Sequence, residues 1–375
     1  MKKLLLCATL VSVAFTSCVT NEELVPEQQS KEISFEVASY VPQTRASGAF
    51  DTGETFVANA WAYDDGLSVQ IMKNEKVSYT DSEWKTTTTY YWPIDGTVDF
   101  ICYYPETVEP AITYSYDGDD VLTYANYTVG NDDVMYASKA IRFTANQNAG
   151  DNETSLGYGE TYGFEGVPTL FHHALAKLNF KVQNGNNDDG VYLWEVIVNS
   201  ITVTGVYNQG KLTLNNDNTK TSGVGKWTLP TNNVWTPLPE DDPATPETEN
   251  PSTATLNWTG SLILSDETPI AFDEKIVYVL PQMLKVNQQK VTVNYDIVQY
   301  QLIDADGNPA TPSVKTLVSQ ENYTTEKDLS DGGLVHWQMN KNITYTLSFN
   351  PIGEMILFAP AVEAWEDEPG TIVVM

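Results

Sequence analysis

The sequence is poor in cysteine, histidine and positive charge. It has 3 cysteines, 3 histidines and 20 lysines and arginines against 50 acidic residues, a formal net charge of −30. So small a basic content excludes the basic footprint of a nucleic-acid binder. Nor does it suit a protein held on anionic lipid by charge. Cys7 lies inside an apolar N-terminal run and Cys18 closes it, which leaves Cys102 alone in the body. An internal disulfide of the mature chain is therefore excluded, and an exported chain of this kind depends on sheet and core. No apolar run is long enough for a membrane-spanning helix of about 20 residues, and no segment sustains a helical period with caps. What is abundant is aromatic: 21 Tyr, 12 Phe and 9 Trp, with 41% hydrophobic residues in a chain of 375. That excludes a disordered chain, and the length suits about two cored domains.

Met1-Lys2-Lys3 and the apolar stretch 4–15 have the form of a signal peptide. The stretch closes with Phe15-Thr16-Ser17-Cys18, which resembles a bacterial lipobox with Phe in the place of the usual Leu. This predicts a lipoprotein signal peptide over residues 1–17 and acyl chains on Cys18, a stable anchor when two chains are present. Asn21-Glu22-Glu23 is similar to the signal that sends lipoproteins to the outer face of the outer membrane.

Residues 19–31 read as a polar tether. Ile33, Phe35 and Val37 then alternate with Ser34 and Glu36, the period of a half-buried strand. Tyr40-Val41-Pro42-Gln43-Thr44-Arg45-Ala46-Ser47-Gly48 follows, an exposed and cleavable loop by its Pro, Gly and small polar residues. One of the chain's very few arginines sits in its middle. Beyond it, runs dominated by Thr, Val, Tyr and Trp predict strands at 55–63, 86–92, 98–104, 177–182, 195–203, 275–280 and 290–300. Turn signals such as Asp64-Asp65-Gly66, Asp95-Gly96, Asp117-Gly118 and Asp306-Gly307 separate such runs. Only 134–140 suits a short helix. The expected fold is all-β, with β-sandwich domains. Residues 146–163 read as a surface loop or interdomain region, and the proline-rich, acidic 237–251 as a solvated excursion.

Patterns that carry chemistry are scarce. Gly223-Val224-Gly225-Lys226 is followed by Trp227 rather than Ser or Thr, so it is not a phosphate loop, and no Gly-x-Ser-x-Gly elbow occurs. His172 and His173 are adjacent, and on a strand they point to opposite faces, which does not suit a shared metal. Structural positions are the simpler reading for both. Cys102, in Phe100-Ile101-Cys102-Tyr103-Tyr104, reads as a small buried hydrophobe with no basic neighbour to activate it. Carboxylates are too many for a catalytic pair to stand out by spacing. Asp304-Ala305-Asp306-Gly307 is similar to the start of a calcium loop but lacks the distal glutamate, so a hairpin turn is expected. The expectation is a protein without enzymatic activity, metal or cofactor.

Three blocks remain. Tyr90-Tyr91-Trp92-Pro93-Ile94-Asp95-Gly96 runs on to Val98-Asp99-Phe100-Ile101-Cys102-Tyr103-Tyr104-Pro105. Leu170-Phe171-His172-His173-Ala174-Leu175-Ala176-Lys177-Leu178 leads into Asn179-Phe180-Lys181-Val182. Asn342-Ile343-Thr344-Tyr345-Thr346-Leu347-Ser348-Phe349 precedes Val362-Glu363-Ala364-Trp365-Glu366-Asp367. In this order, and with the lipobox, the blocks resemble the fimbrillin family, the subunits of the type V pili of Gram-negative bacteria.

The resemblance implies two transthyretin-like β-sandwich domains in tandem. Residues 18–45 would be a propeptide with a removable strand, 46–165 the N-terminal sandwich, and 166–375 the C-terminal sandwich with a donor-strand tail. It also implies a route of assembly. The lipoprotein precursor reaches the surface, and an arginine-specific protease cuts between Arg45 and Ala46. Loss of the strand carrying Ile33, Phe35 and Val37 opens an apolar groove. The C-terminal tail of a neighbour then fills it by donor-strand addition, through Ile356, Phe358 and Val362, with Ile372, Val373 and Val374 beyond. An alternative place for that tail is the C-terminal sheet of its own chain.

The implied partners are other pilus subunits, in a homopolymer or a tip complex, and the outer membrane through the lipid before cleavage. A tip adhesin would add a host protein or glycan. The implied location is the cell surface, first as an outer-membrane lipoprotein precursor and then in the pilus (fimbrium). Two other readings stand beside this one. An uncleaved anchor subunit would keep its lipid and first strand, and would need no cut site. A glycan-binding surface lipoprotein of a polysaccharide-uptake system would need exposed aromatics, for which Trp84, Trp227 and Trp235 are the candidates.

Overall fold

The structure is a computed structural model. It describes residues 31–39, 50–116, 120–137, 140–144, 166–185, 187–216, 225–231, 234–237, 253–264, 267–273, 275, 277–303, 314–351 and 355–364. Among these residues every helix or strand is a strand, so the fold is all-β.

The first sheet has eight strands. They are β1 (Phe35–Ser39), β2 (Thr55–Asp64), β3 (Leu67–Thr80), β4 (Glu83–Thr86), β5 (Thr97–Tyr104), β8 (Met135–Ala137), β9 (Ala140–Phe143) and β10 (Val167–His173). Their order is β2-β3-β4-β1-β10-β8-β5-β9, and β2 also pairs with β5, so all but β9 close a ring. The ring encloses Phe56, Ala58, Ala60, Met72, Val98, Phe100 and Phe171. The β2–β3 hairpin turns through Asp65 (φ 43°) and Gly66 (φ 84°), the left-handed pair that a two-residue hairpin demands. Gly96 (φ 85°) is obligatory for a second reason: a Cβ there would lie 2.3 Å from the carbonyl oxygen of Tyr63.

A second core lies between two further sheets. One has the order β17-β11-β23-β24, with β18 also on β11: β17 (Ile270–Ala271), β11 (Ala176–Asn184), β23 (Lys341–Asn350), β24 (Met355–Ala364) and β18 (Val277–Val279). The other has the order β16-β12-β20-β21: β16 (Thr253–Leu264), β12 (Tyr192–Tyr207), β20 (Lys290–Ile303) and β21 (Val314–Asp328). Alternation sets the inner faces. Leu178, Phe180 and Val182 join Ile343, Tyr345 and Leu347 in one core with Val196, Val198, Ile201, Val291 and Val293. A short ladder pairs β19 (Gln282–Met283) with β22 (His336–Trp337).

The remaining sheet draws on both halves of the chain. Its order is β15-β14-β13-β7-β6, where β6 (Ala111–Thr113) and β7 (Asp120–Thr128) come from the first half. β13 (Gln209–Asn216), β14 (Gly225–Thr231) and β15 (Val234–Pro237) come from the second. Ile101, Tyr124, Leu175, Leu212, Trp227 and Leu280 form a third core beneath it. The chain therefore does not divide its sheets at residue 165, because β10 completes the ring of the first half.

Two local expectations are corrected. Residues 134–140 are not a helix: β8 and β9 lie there, pairing with β5 at opposite ends of its edge. Residues 86–92 are not one strand either. β4 ends at Thr86, and the backbone of Tyr90 and Trp92 instead pairs with residues 31–33.

Candidate functional site: the place of the first strand

β1 is five residues long, yet it is held on both flanks. On one side it runs parallel to β10, with Phe35 opposite Val167 and Ser39 opposite Phe171. On the other it meets β4 antiparallel at a single pair, Phe35 with Trp84. Just ahead of it, the Ile33 amide donates to the Tyr90 carbonyl at 2.8 Å, and the Trp92 amide donates to the Lys31 carbonyl at 3.0 Å. The Val167 amide donates to the Ser34 carbonyl at 2.7 Å. Without β1, no other described strand connects β4 to β10, and the ring of described strands is open.

The side chains explain why so short a strand holds. Ile33 is 0% and Phe35 5% exposed, and Val37 packs against the same core. The Phe35 ring stands edge-on to Phe56 at 5.6 Å and to Phe100 at 5.7 Å, the arrangement favoured by ring quadrupoles. Trp92 in turn stands edge-on to Phe100 at 5.7 Å. Gly166 lies beneath the strand: a Cβ there would be 2.7 Å from the Phe35 carbonyl carbon.

Phe50, the first described residue after Ser39, is buried in the same core. It stacks on Phe171 at 4.8 Å and contacts Phe56, Trp84 and Tyr104 edge-on. Sequence reasoning missed Phe50, Gly166 and the Tyr90–Trp92 flank. A lone aromatic directly after a loop was the available signal for Phe50. The other two are set by tertiary pairing and left none.

The structure places Ile33, Phe35 and Val37 together in this slot. It places the tail elsewhere in the monomer. β24 pairs with β23 along its whole length, from Lys341 opposite Ala364 to Asn350 opposite Met355. Ile356 and Phe358 are half-buried against the second core, and Phe358 stacks on Tyr345 at 4.7 Å. Val362 is exposed. β24 is the last described strand of its sheet, with β23 as its one paired strand, and Pro360 within it fits an edge strand. Cys18, Arg45, Ala46, Trp365 and Ile372 to Val374 lie outside the described residues, as does the turn at Asp304-Ala305-Asp306-Gly307.

Other candidate residues take structural positions. His172 is buried and stacks on Tyr136 at 5.3 Å; burial and the neighbouring His173 lower its pKa to about 3. His173 contacts Asp133 through Nδ1 in a buried pair. Burial pushes the Cys102 thiol well above its ordinary range, so it is no thiolate nucleophile. Trp84 and Trp227 are buried, which removes two of the three tryptophans that a sugar-binding platform would have used. Among the described residues no group of three or more His, Cys, Asp or Glu is placed to hold a metal ion.

Comparison with known proteins supplies the family. A sequence model described as fimbrillin-like matches residues 44–365. The chain belongs to the fimbrillin-like family. Among solved structures, a fimbrial protein of Bacteroides vulgatus is similar in fold, with a TM-score of 0.50 and 18% identity over 89% of this chain and 99% of that one. The tip fimbrial protein Mfa3 of Porphyromonas gingivalis, with a C-terminal truncation, aligns over 89% of this chain and 100% of its own at 10% identity and a TM-score of 0.37. At that score it carries no argument about this fimbrillin-like chain. A search of curated proteins found no match.

Proposed function

We propose that this fimbrillin-like chain is a structural, non-enzymatic subunit of a cell-surface pilus that assembles by strand exchange. It is exported as a lipoprotein anchored at Cys18, cut after Arg45 and left with Ala46 at its N-terminus. One observation carries the reading. β1 sits between β4 and β10 inside the ring, and the segment that joins it to the rest of the chain contains Arg45. A single cut there turns an integral strand into a separate peptide held only by non-covalent contacts.

The arginine content supports one dominant cut. The chain has two arginines, and the other, Arg142, lies within β9, where the backbone is held in a sheet and is a poor protease substrate. Apolar side chains of the size of Ile33, Phe35 and Val37 contribute on the order of 5–8 kcal/mol when buried. A vacated slot is therefore strongly attractive to any matching strand, and the C-terminal segment of a neighbour carries Ile356, Phe358 and Val362. Adhesion by the assembled pilus, with a host protein or glycan as ligand, follows from this role.

Incubating the purified precursor with an arginine-specific protease tests the proposal. Expected are a new N-terminus at Ala46 and a ladder of polymers on electrophoresis, with Arg45→Ala remaining monomeric. An unchanged monomer after complete cleavage, or a normal ladder from Arg45→Ala, contradicts it.

A further inference from the structure

We propose a register for the joint between subunits: Phe358 of a neighbouring copy takes the place of Phe35, and Ile356 takes the place of Ile33. This rests on the reading of the β1 slot as the site of strand exchange, and it adds which residue enters which pocket.

The first ground is spacing. Ile33-Ser34-Phe35 and Ile356-Leu357-Phe358 share the order Ile-x-Phe. Two residues apart on a strand, both side chains fall on one face. The shared order also fixes direction: a strand entering with Ile first runs as β1 does, parallel to β10.

The second ground is the shape of the pocket. Phe35 stands nearly perpendicular to both Phe56 (87°) and Phe100 (84°). Two edge-on rings make a site for a flat aromatic side chain and fit a branched aliphatic one poorly. Phe358 is the only phenylalanine after Phe349.

The third ground is the proline. With Phe358 at the position of Phe35, Pro360 falls at that of Val37. In a parallel ladder a residue turns its amide and carbonyl to the same side, and successive residues alternate sides. Ser34 bonds toward β10, so Phe35 and Val37 turn theirs toward β4. There, among the described residues, β1 has a single partner, Trp84, opposite Phe35. The position of Val37 therefore needs no amide hydrogen, and a proline is accepted there. Shifting the tail by two residues would set Pro360 in the place of Phe35, where β4 pairs and an amide is wanted.

The fourth ground is the direction of transfer. At home, Ile356 and Phe358 are half-buried on a strand with one neighbour. The residues they would replace are 0% and 5% exposed, on a strand flanked on both sides. Exchange therefore moves the same side chains into deeper burial.

Disulfide trapping in the cleaved full-length chain tests the register, with Cys102→Ala removing the native thiol. Ala359 would stand in the place of Glu36, which pairs with Pro168. The pair Ala359→Cys with Pro168→Cys should therefore give a reducible ladder, roughly tenfold stronger than Ala359→Cys with Leu170→Cys. A preference for position 170, or equal crosslinking, overturns the register while leaving strand exchange standing. Absence of any polymer from the cleaved wild-type chain overturns strand exchange itself, and the register with it. Phe358→Leu supplies a second reading. It should slow polymerisation roughly tenfold by losing the edge-on ring contacts. Loss of the stack on Tyr345 alone would loosen β24 and speed assembly, so an unchanged or faster rate counts against the aromatic pocket.

Discussion

The first and last described strands of this chain make opposite bargains with the fold. β1 is five residues long and central, paired on both flanks and buried at Ile33 and Phe35. β24 is ten residues long and peripheral, paired on one flank, half-buried at Ile356 and Phe358 and exposed at Val362. Length would suggest that β24 is the firmer element. Burial and flanking say the reverse. The contrast teaches that the number of flanking strands and the depth of burial, not length, set how firmly a strand is held. On the proposed strand exchange, the edge strand β24 would replace the central β1.

The comparison can be broken most severely at the tether. Arg45→Ala should abolish polymer while leaving a folded precursor, read by electrophoresis of protease-treated protein and by an unchanged unfolding midpoint. Polymer from this variant would mean that β1 need not be released.

Next in size are truncations of the two aromatic anchors. Phe35→Ala should destabilise the precursor by about 3–5 kcal/mol, the cost of emptying a filled aromatic site. Phe358→Ala should cost about 1–2 kcal/mol, because less of its area is buried. Denaturant unfolding of the two precursors checks the order, and equal losses would dissolve the distinction between a central and a peripheral strand.

Gly166→Ala sharpens the comparison further. The added methyl meets the β1 backbone at Phe35, so the precursor should lose about 1–3 kcal/mol through overpacking. A chain beginning at Ala46 has no β1 to meet, so its stability should be nearly unaffected by the same change. A loss of equal size in both forms would show that the glycine serves some other contact.

The effect that is smallest at neutral pH is acid sensitivity beside the slot. His172 is neutral in the fold, with a pKa of about 3 against 6.5 for the free side chain. Between these values the unfolded chain binds more protons, so this group's contribution to stability falls as pH falls from about 6.5 toward 3. His172→Phe, which keeps a ring against Tyr136, should flatten the dependence of unfolding midpoint on pH over that window. An unchanged slope would assign the acid limb to other groups.

Much of this was legible in the chain itself. Alternation alone puts Ile33, Phe35 and Val37 on one face, and the aromatic and β-branched content of the runs requires strands. The glycine of Asp95-Gly96 marks a turn that the backbone confirms by its positive φ. What period could not supply was partnership. Nothing in Tyr90-Tyr91-Trp92 tells that its backbone pairs with residues 31–33 rather than continuing β4, because tertiary pairing makes that choice. Residues 134–140 have a mixed apolar pattern, and β5 decides it by offering one edge to β8 and β9 in turn. Likewise β10 belongs to the first ring through its pairing with β1 and β8, a long-range choice that composition does not encode.

The central claim is that β1 is replaceable in place, and amide hydrogen exchange of β10 tests it most directly. The amides of Val167, Thr169 and Phe171, which alternation turns toward the first strand, should be protected in the precursor. They should exchange fast in freshly cut protein from which the first strand has left, and become protected again in the polymer. Protection of these three amides that stays constant through cleavage and assembly would contradict the account.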